Sequence, residues 1–375
     1  ASLKTSISEE AFVQTIDHLQ LNGFMSCLCE FEAVDGLFSE QVMAHFHKNA
    51  RELALNNQFL EMRGVEIIKA FQCAQIPVIW LKGNPNIQWI YGNYLIRSTS
   101  DLDLLIHMED RSVAMKLVKA QGFAYPQATM DSRGVVFSEE EYADWAHELH
   151  YSKKDEVLPL NLDLHFDLSG FPQGAIPNAI FYQDRPDWSA ETHTLTLRGE
   201  EMPVLKREDA FMQMVYHYSI HHTFCGLKWL IDLCEVMAKG QRDLDWTYIK
   251  TRYAKANERK LMGICFRMVE EMTGIDRFGG EPWAYYWRAR FTEREYSIYQ
   301  SFRFEHTKGW RMKISGRLAK ILIPVTIIDR WKMVQYYFFS GQAVAQRTGR
   351  KPGGNPIANF FAVIRLFFHD RGRRE

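Results

Sequence analysis

Nine residues, LNLDLHFDL at 160–168, alternate polar and apolar without interruption. A strand repeats every two residues, so this run predicts a sheet strand with Leu162, Leu164, Phe166 and Leu168 on one face. Asn161, Asp163, His165 and Asp167 then share the other, a polar face set by design or by function. A second segment, DLDLLIH from Asp101, alternates acid and leucine and puts Asp101 and Asp103 on one face of another strand.

Around these two strands the chain reads as a mixture of helix and sheet. VIWL at 78–81 predicts a buried strand, the Lys82-Gly83-Asn84-Pro85 turn leads into a short helix, and a helix follows from Met108 to a glycine stop at Gly122. ELHYSKKD is a further candidate strand. Helical spacing dominates residues 1 to 55, returns in NQFLEMRGVEIIKAFQCAQ, and runs from about Glu208 nearly to the end. At 375 residues we expect two or three packed units: an N-terminal helical region over 1–55, a core over 56–200, and a helical C-terminal domain over 201–375.

Six cysteines at 27, 29, 73, 225, 234 and 265 match no zinc or disulfide spacing and read as reduced, mostly buried thiols. No stretch approaches the roughly 18 to 20 apolar residues of a spanning helix, and ASLKTSISEE lacks the features of a secretory signal. The expected location is cytoplasmic. Charge is unevenly placed, because residues 308–375 carry fourteen Lys and Arg against Asp329, Asp370 and Glu375, a net +11, leaving about −12 elsewhere. That basic tail predicts an anionic partner: nucleic acid, an anionic membrane surface that would make the protein peripheral there, or the acidic body itself.

Carboxylates at i and i+2 on a strand can chelate a hard cation jointly, and a third acid on a neighbouring strand completes a two-metal arrangement. Asp101 and Asp103 have that spacing, and Asp163 is the natural third. Phosphate chemistry also needs donors. The Lys82-Gly83 turn opening a helix offers backbone N–H groups and a point charge, and Arg97 a bidentate donor.

These residues, LKG at 81–83, Tyr91, Arg97, SDLDLLI at 100–106, AQGF and LDLHF at 162–166, resemble a bacterial nucleotidyltransferase family of the polymerase-β superfamily. His217, His221 and LKWLIDL at 227–233 extend the likeness, which spans roughly 60 to 240. The resemblance implies an α+β (α/β) fold, a polymerase-β-like core with a mixed sheet and helical additions at both ends. It also implies transfer of a nucleoside monophosphate from an NTP such as ATP, with Mg²⁺ or Mn²⁺ held by Asp101, Asp103 and Asp163. Lys82 before Gly83, and Asn84 in place of serine, depart from the wider superfamily's Gly-Ser turn.

Other features are weighed against plainer roles. HELH at 147–150 is not the H-E-x-x-H of a zinc protease, since Tyr151 stands where the second histidine belongs. His150 and His165 are expected beside Asp163, near the nucleotide. His217, His221 and His222 share a helix, yet no nearby acid or cysteine completes a site, so packing or acceptor contact is expected rather than zinc. Lys228 and Asp232, four apart, predict an intrahelical ion pair, with substrate contact as the alternative. WKMVQYYFF and NFFAVIRLFFHDRGRR predict packing onto the helical domain, or an amphipathic surface for membrane or RNA. Two readings compete with a hydroxyl-directed transferase: a catalytically silent nucleotide-binding scaffold, and a toxin-like modifier of tRNA or protein.

Overall fold

The computed structural model describes residues 8–30, 34, 36–92, 96–125, 138–143, 146–154, 158–168, 192–274, 291–302, 319–339 and 355–361. Most of the basic tail lies outside them, as does the Pro-rich segment after Ser169.

Three helices open the chain: α1 (Glu9–His18), α2 (Asn22–Glu30) and α3 (Glu40–Cys73). They are followed by β1 (Val78–Lys82), α4 (Asn84–Ile90), β2 (Leu102–Ile106), α5 (Arg111–Ala120), α6 (Glu139–Ala143), β3 (Glu148–Lys153), β4 (Leu160–His165), β5 (Thr192–Leu197) and β6 (Glu200–Leu205). The second half is helical: α7 (Arg207–Tyr216), a π-helical turn (His217–His221), α8 (Leu227–Asp243), α9 (Trp246–Arg252), α10 (Ala256–Thr273), α11 (Glu293–Gln300) and α12 (Ile327–Phe339).

The six strands form one mixed sheet in the order β3-β4-β2-β1-β6-β5. β2 runs parallel to β4 and β1 parallel to β6; the other neighbours are antiparallel. The leucines of the two alternating segments do what their period demands. Leu102, Leu104, Leu162 and Leu164 are fully buried with Trp80 and Leu149 against Ile67, Ile68 and Phe71 of α3 and Val118 of α5. The helix approaches closely, since a Cβ on Gly64 would stand 2.4 Å from the Trp80 ring. Trp80 fills this layer, and truncation to alanine would cost about 3–5 kcal/mol. On the opposite face, among the described residues, a smaller apolar group with Ile79, Leu81, Leu105 and Leu205 meets Ala210 of α7. The rest of that face is the polar one.

Two elements run across the expected boundaries. α3 runs unbroken through position 55, because its first half packs into the helical core at Val42 and Phe46 while its second half packs on the sheet. The sheet also continues past 200 through the β5–β6 hairpin, a segment to which the sequence reading assigned no strand. Its turn, Arg198-Gly199, has φ of 52° and 79°, the left-handed pair that suits a two-residue hairpin. The helices at the start of the chain are not a separate unit: Ile16, Met25 and Phe46 share one core with Phe211, Leu230 and Phe266.

Among the described residues no helix is long and apolar enough to cross a membrane. Cys73 is exposed, Cys234 half-buried and the other four cysteines buried.

Candidate active site

The polar face of the sheet forms the floor of a cleft of about 320 Å³, roofed by α4, α7, the π-helical turn and α8. That is the scale of a small-molecule site, roughly 300–1,000 Å³. Every residue singled out from the sequence lines it: Lys82, Gly83, Arg97, Asp101, Asp103, His150, Asp163, His165, His217, His221, Lys228 and Asp232.

The acids converge through register. Asp103 and Asp163 are Cα partners in the parallel β2–β4 pairing, and His150 is the partner of Asp163 across β3–β4. Asp103, Asp163 and His165 each offer a ligand atom within 4.8 Å of the others. Asp101 lies one residue before β2, half-buried in the same cleft and outside that group.

Lys82 reaches this face through an irregularity. Trp80 pairs with Leu104, yet Lys82 pairs with Asp103, so β1 holds two residues against one of β2. Such a bulge reverses the side-chain alternation, turning Lys82 away from the Trp80 layer and onto Asp103, with which it forms an ion pair. Gly83 follows at φ +83°, where a Cβ would stand 3.0 Å from Thr99 Oγ1, so glycine suits both its conformation and its space.

The cations and acids of the floor shift one another. Burial opposes charge on Lys82, but Asp103, Asp101 and Glu148 outweigh it and hold the ammonium above the ordinary lysine range. Burial likewise opposes ionisation of Asp103, yet Lys82 and His165 keep it below the usual carboxylate range. Asp101 is pushed upward, by burial first and then by Asp103. His150 Nδ1 lies 2.7 Å from Asp163 Oδ1, and against the effect of burial Asp163 and Glu148 raise His150 to about 9. His165 joins two acids, with Nε2 2.8 Å from Asp103 and Nδ1 3.1 Å from Glu148. Burial would lower it, but Glu148 and Asp103 raise it.

The donor set suits a hard divalent cation. Oxygen ligands of the kind that Asp101, Asp103 and Asp163 offer are what Mg²⁺ or Mn²⁺ prefers.

Across the cleft, Arg97 Nε donates to Asp232 Oδ2 at 2.9 Å and Tyr91 Oη donates to Asp232 Oδ1 at 2.6 Å. The loop presenting Arg97 is pinned to α3, where Asn57 Nδ2 donates to Arg97 O and Asn56 Nδ2 to Thr99 O, both at 2.8 Å. Asp232 is thus committed to Arg97 and Tyr91 rather than to Lys228, which sits 4.5 Å from the centre of the Trp229 ring. The intrahelical pair expected from spacing gives way to stronger partners brought by the fold. His222 stacks on Trp229 at 3.6 Å, and its Nε2 lies 2.9 Å from that of His217. Burial first, then His222 beside His217 and His221 beside His222, hold both below the ordinary histidine range, so each ring is neutral and one can donate its N–H to the other.

Sequence reasoning did not place Glu148 or Trp229 among the lining residues. Glu148 had a signal, since it shares a strand face with His150 by the same two-residue period. It also corrects the reading of the histidine helix: the acid absent nearby in sequence arrives from β3, and Glu148 with His147 comes within 4.8 Å of His221.

In comparisons with known proteins, a family model described as uncharacterised nucleotidyltransferase matches residues 5–274. No curated protein and no solved structure matches the chain.

Proposed function

The chain belongs to the uncharacterised nucleotidyltransferase family, and from that premise we propose that it transfers a nucleoside monophosphate from an NTP to a hydroxyl, less readily an amine, of an acceptor. The observation that carries this reading is the convergence of Asp103 and Asp163 in register, with Asp101 and Lys82, on one wall of the cleft.

Asp101, Asp103 and Asp163 would hold Mg²⁺ or Mn²⁺, which in such sites neutralises phosphate charge and favours the attacking oxygen. The side chains have separate tasks. Lys82 and the backbone at Gly83 bind triphosphate oxygens. Arg97, oriented by Asp232, presents its remaining N–H groups to the same phosphates. Asp163, in contact with His150, is placed to accept the acceptor's proton or pass it on. His165 keeps Asp103 oriented from within the sheet. His217, His221 and Lys228 line the opposite wall, the acceptor side of the cleft.

The test is to incubate the protein with each labelled NTP and Mg²⁺ or Mn²⁺ in the presence of cell extract, then fractionate label among protein, RNA and small molecules. Label in one pool identifies the acceptor class, including a tRNA or protein target of a toxin-like enzyme. Label in none leaves a silent nucleotide-binding scaffold and overturns the proposal.

A further inference from the structure

Glu148 is surrounded by imidazoles. His147 Nε2 lies 3.1 Å from its Oε1, His150 Nε2 3.5 Å from the same oxygen, and His165 Nδ1 3.1 Å from its Oε2. His150 and His165 also engage Asp163 and Asp103, so they belong to the acid floor. His147 does not. Both of its ring nitrogens are buried and neither makes a hydrogen bond, despite the short approach to Glu148. A half-buried imidazole whose Nδ1 meets no partner and whose Nε2 faces only the Glu148 carboxylate is better satisfied when a ligand engages the ring.

His221 comes to this point from the helical half. The π-helical turn over His217–His221 ends in Thr223 and Phe224 at φ of 55° and 60°, and ring stacking on His217 at 5.1 Å fixes the orientation of His221. π-helical insertions re-aim side chains and recur at functional sites. Here one ligand atom each from His147, Glu148 and His221 lies within 4.8 Å of the other two. Two ligand atoms bound about 2.1 Å from a tetrahedral ion stand about 3.4 Å apart. The His147–Glu148 approach already has nearly that bite.

We propose that His147, Glu148 and His221 bind a borderline transition-metal ion of the Zn²⁺ type, at a site separate from the aspartate site. Two nitrogens and one carboxylate oxygen favour Zn²⁺ over Mg²⁺, which prefers oxygen ligands alone. Three protein ligands leave a fourth position, and Glu148 and His221 both line the cleft, so that position opens toward the acceptor side. The ion ties β3 to the turn after α7, joining sheet to helices.

The site is tested with the full chain stripped by chelator, then titrated with Zn²⁺ alone and with Mg²⁺ alone by calorimetry. One Zn²⁺ is expected to bind, to raise the melting temperature, and to be replaced by Co²⁺ with visible d–d absorption. His147→Ala and His221→Ala should each weaken Zn²⁺ binding by at least about tenfold and abolish its effect on melting. The Asp101→Asn/Asp103→Asn double variant should bind Zn²⁺ as the parent does while losing transfer, so this site and the transfer reaction fail independently. Zn²⁺ binding that is absent, unchanged in both histidine variants, or lost in the double aspartate variant overturns the proposal. Circular dichroism of each stripped variant excludes unfolding as the cause of lost binding.

Discussion

Asp103 and Asp163, sixty residues apart in the chain, stand directly opposite one another on neighbouring parallel strands. Partners at the same level of adjacent strands project to the same face, so the pairing turns two separate alternating segments into one acidic surface.

Asp101→Asn and Asp103→Asn should each abolish nucleotidyl transfer, because an amide keeps the side chain's size while removing the charge that holds a divalent cation. Losses of a thousandfold or more, about 4 kcal/mol in the barrier, are expected. Asp163→Asn should lower the turnover rate more than it weakens NTP binding. Single-turnover rates and nucleotide titrations separate the two, and full activity in both Asp101→Asn and Asp103→Asn would end the nucleotidyltransferase reading.

The same pair of substitutions should have opposite effects on folding. Asp103 is 1% exposed and carries Lys82 and His165, so Asp103→Asn leaves both without their acid at a cost of roughly 1–3 kcal/mol. Asp101 is strained by burial and by Asp103, so Asp101→Asn should be neutral or stabilising without metal. Denaturant melts read the difference, and equal stability of the two variants would show that the Lys82–Asp103 pair contributes nothing.

Lys82→Ala should weaken nucleotide binding by tens-fold at most, the scale of a charge-assisted hydrogen bond of about 1.5–3 kcal/mol. Because it also frees Asp103 of its cation, affinity for Mg²⁺ alone should rise. Calorimetry with each ligand separately checks both signs; a nucleotide affinity equal to the parent's removes Lys82 from the triphosphate site.

Arg97 and Asp232 should be coupled. A double-mutant cycle with Arg97→Ala and Asp232→Asn is expected to return an interaction of about 0.5–3 kcal/mol, since the two touch at 2.9 Å and are largely buried. Additive effects on nucleotide affinity would mean that Asp232 does not position Arg97.

Lys228 should give the cleft a pH dependence. Burial and then Arg97 lower it to about 8, with Asp232 and Asp101 opposing. Its folded value lies below the 10.5 of an ordinary lysine. Between these values the unfolded chain holds the proton that the native state has shed, so this group's contribution to stability rises with pH there. Affinity for an anionic nucleotide should instead fall as pH passes about 8, and Lys228→Met should remove that inflection from the titration. An inflection that persists in the variant belongs to another group.

Much of this site was legible because its encoding is local. The pleat alone assigns Asp163 and His165 to one face and Leu162 and Leu164 to the other, and the same period places Asp101 with Asp103. The β5–β6 hairpin carried local signals too, an alternating THTLTL and an Arg-Gly turn, but it lies between a Pro-rich stretch and a long helical run and was assigned no strand. Continuity of α3 was hidden because its apolar stripe changes partners midway, from the helical core to the sheet.

What the sequence determined by itself is therefore the set of faces, the strand-turn-helix around Lys82-Gly83, and many of the residues that line the cleft. Tertiary structure decided which of them touch. The bulge that turns Lys82 onto Asp103, the commitment of Asp232 to Arg97 instead of Lys228, and the meeting of Glu148 with His221 each join distant parts of the chain. Side-chain periodicity is a property of a few consecutive residues, whereas register and ion-pair choice are settled by competition among groups that meet only when the sheet and helices pack.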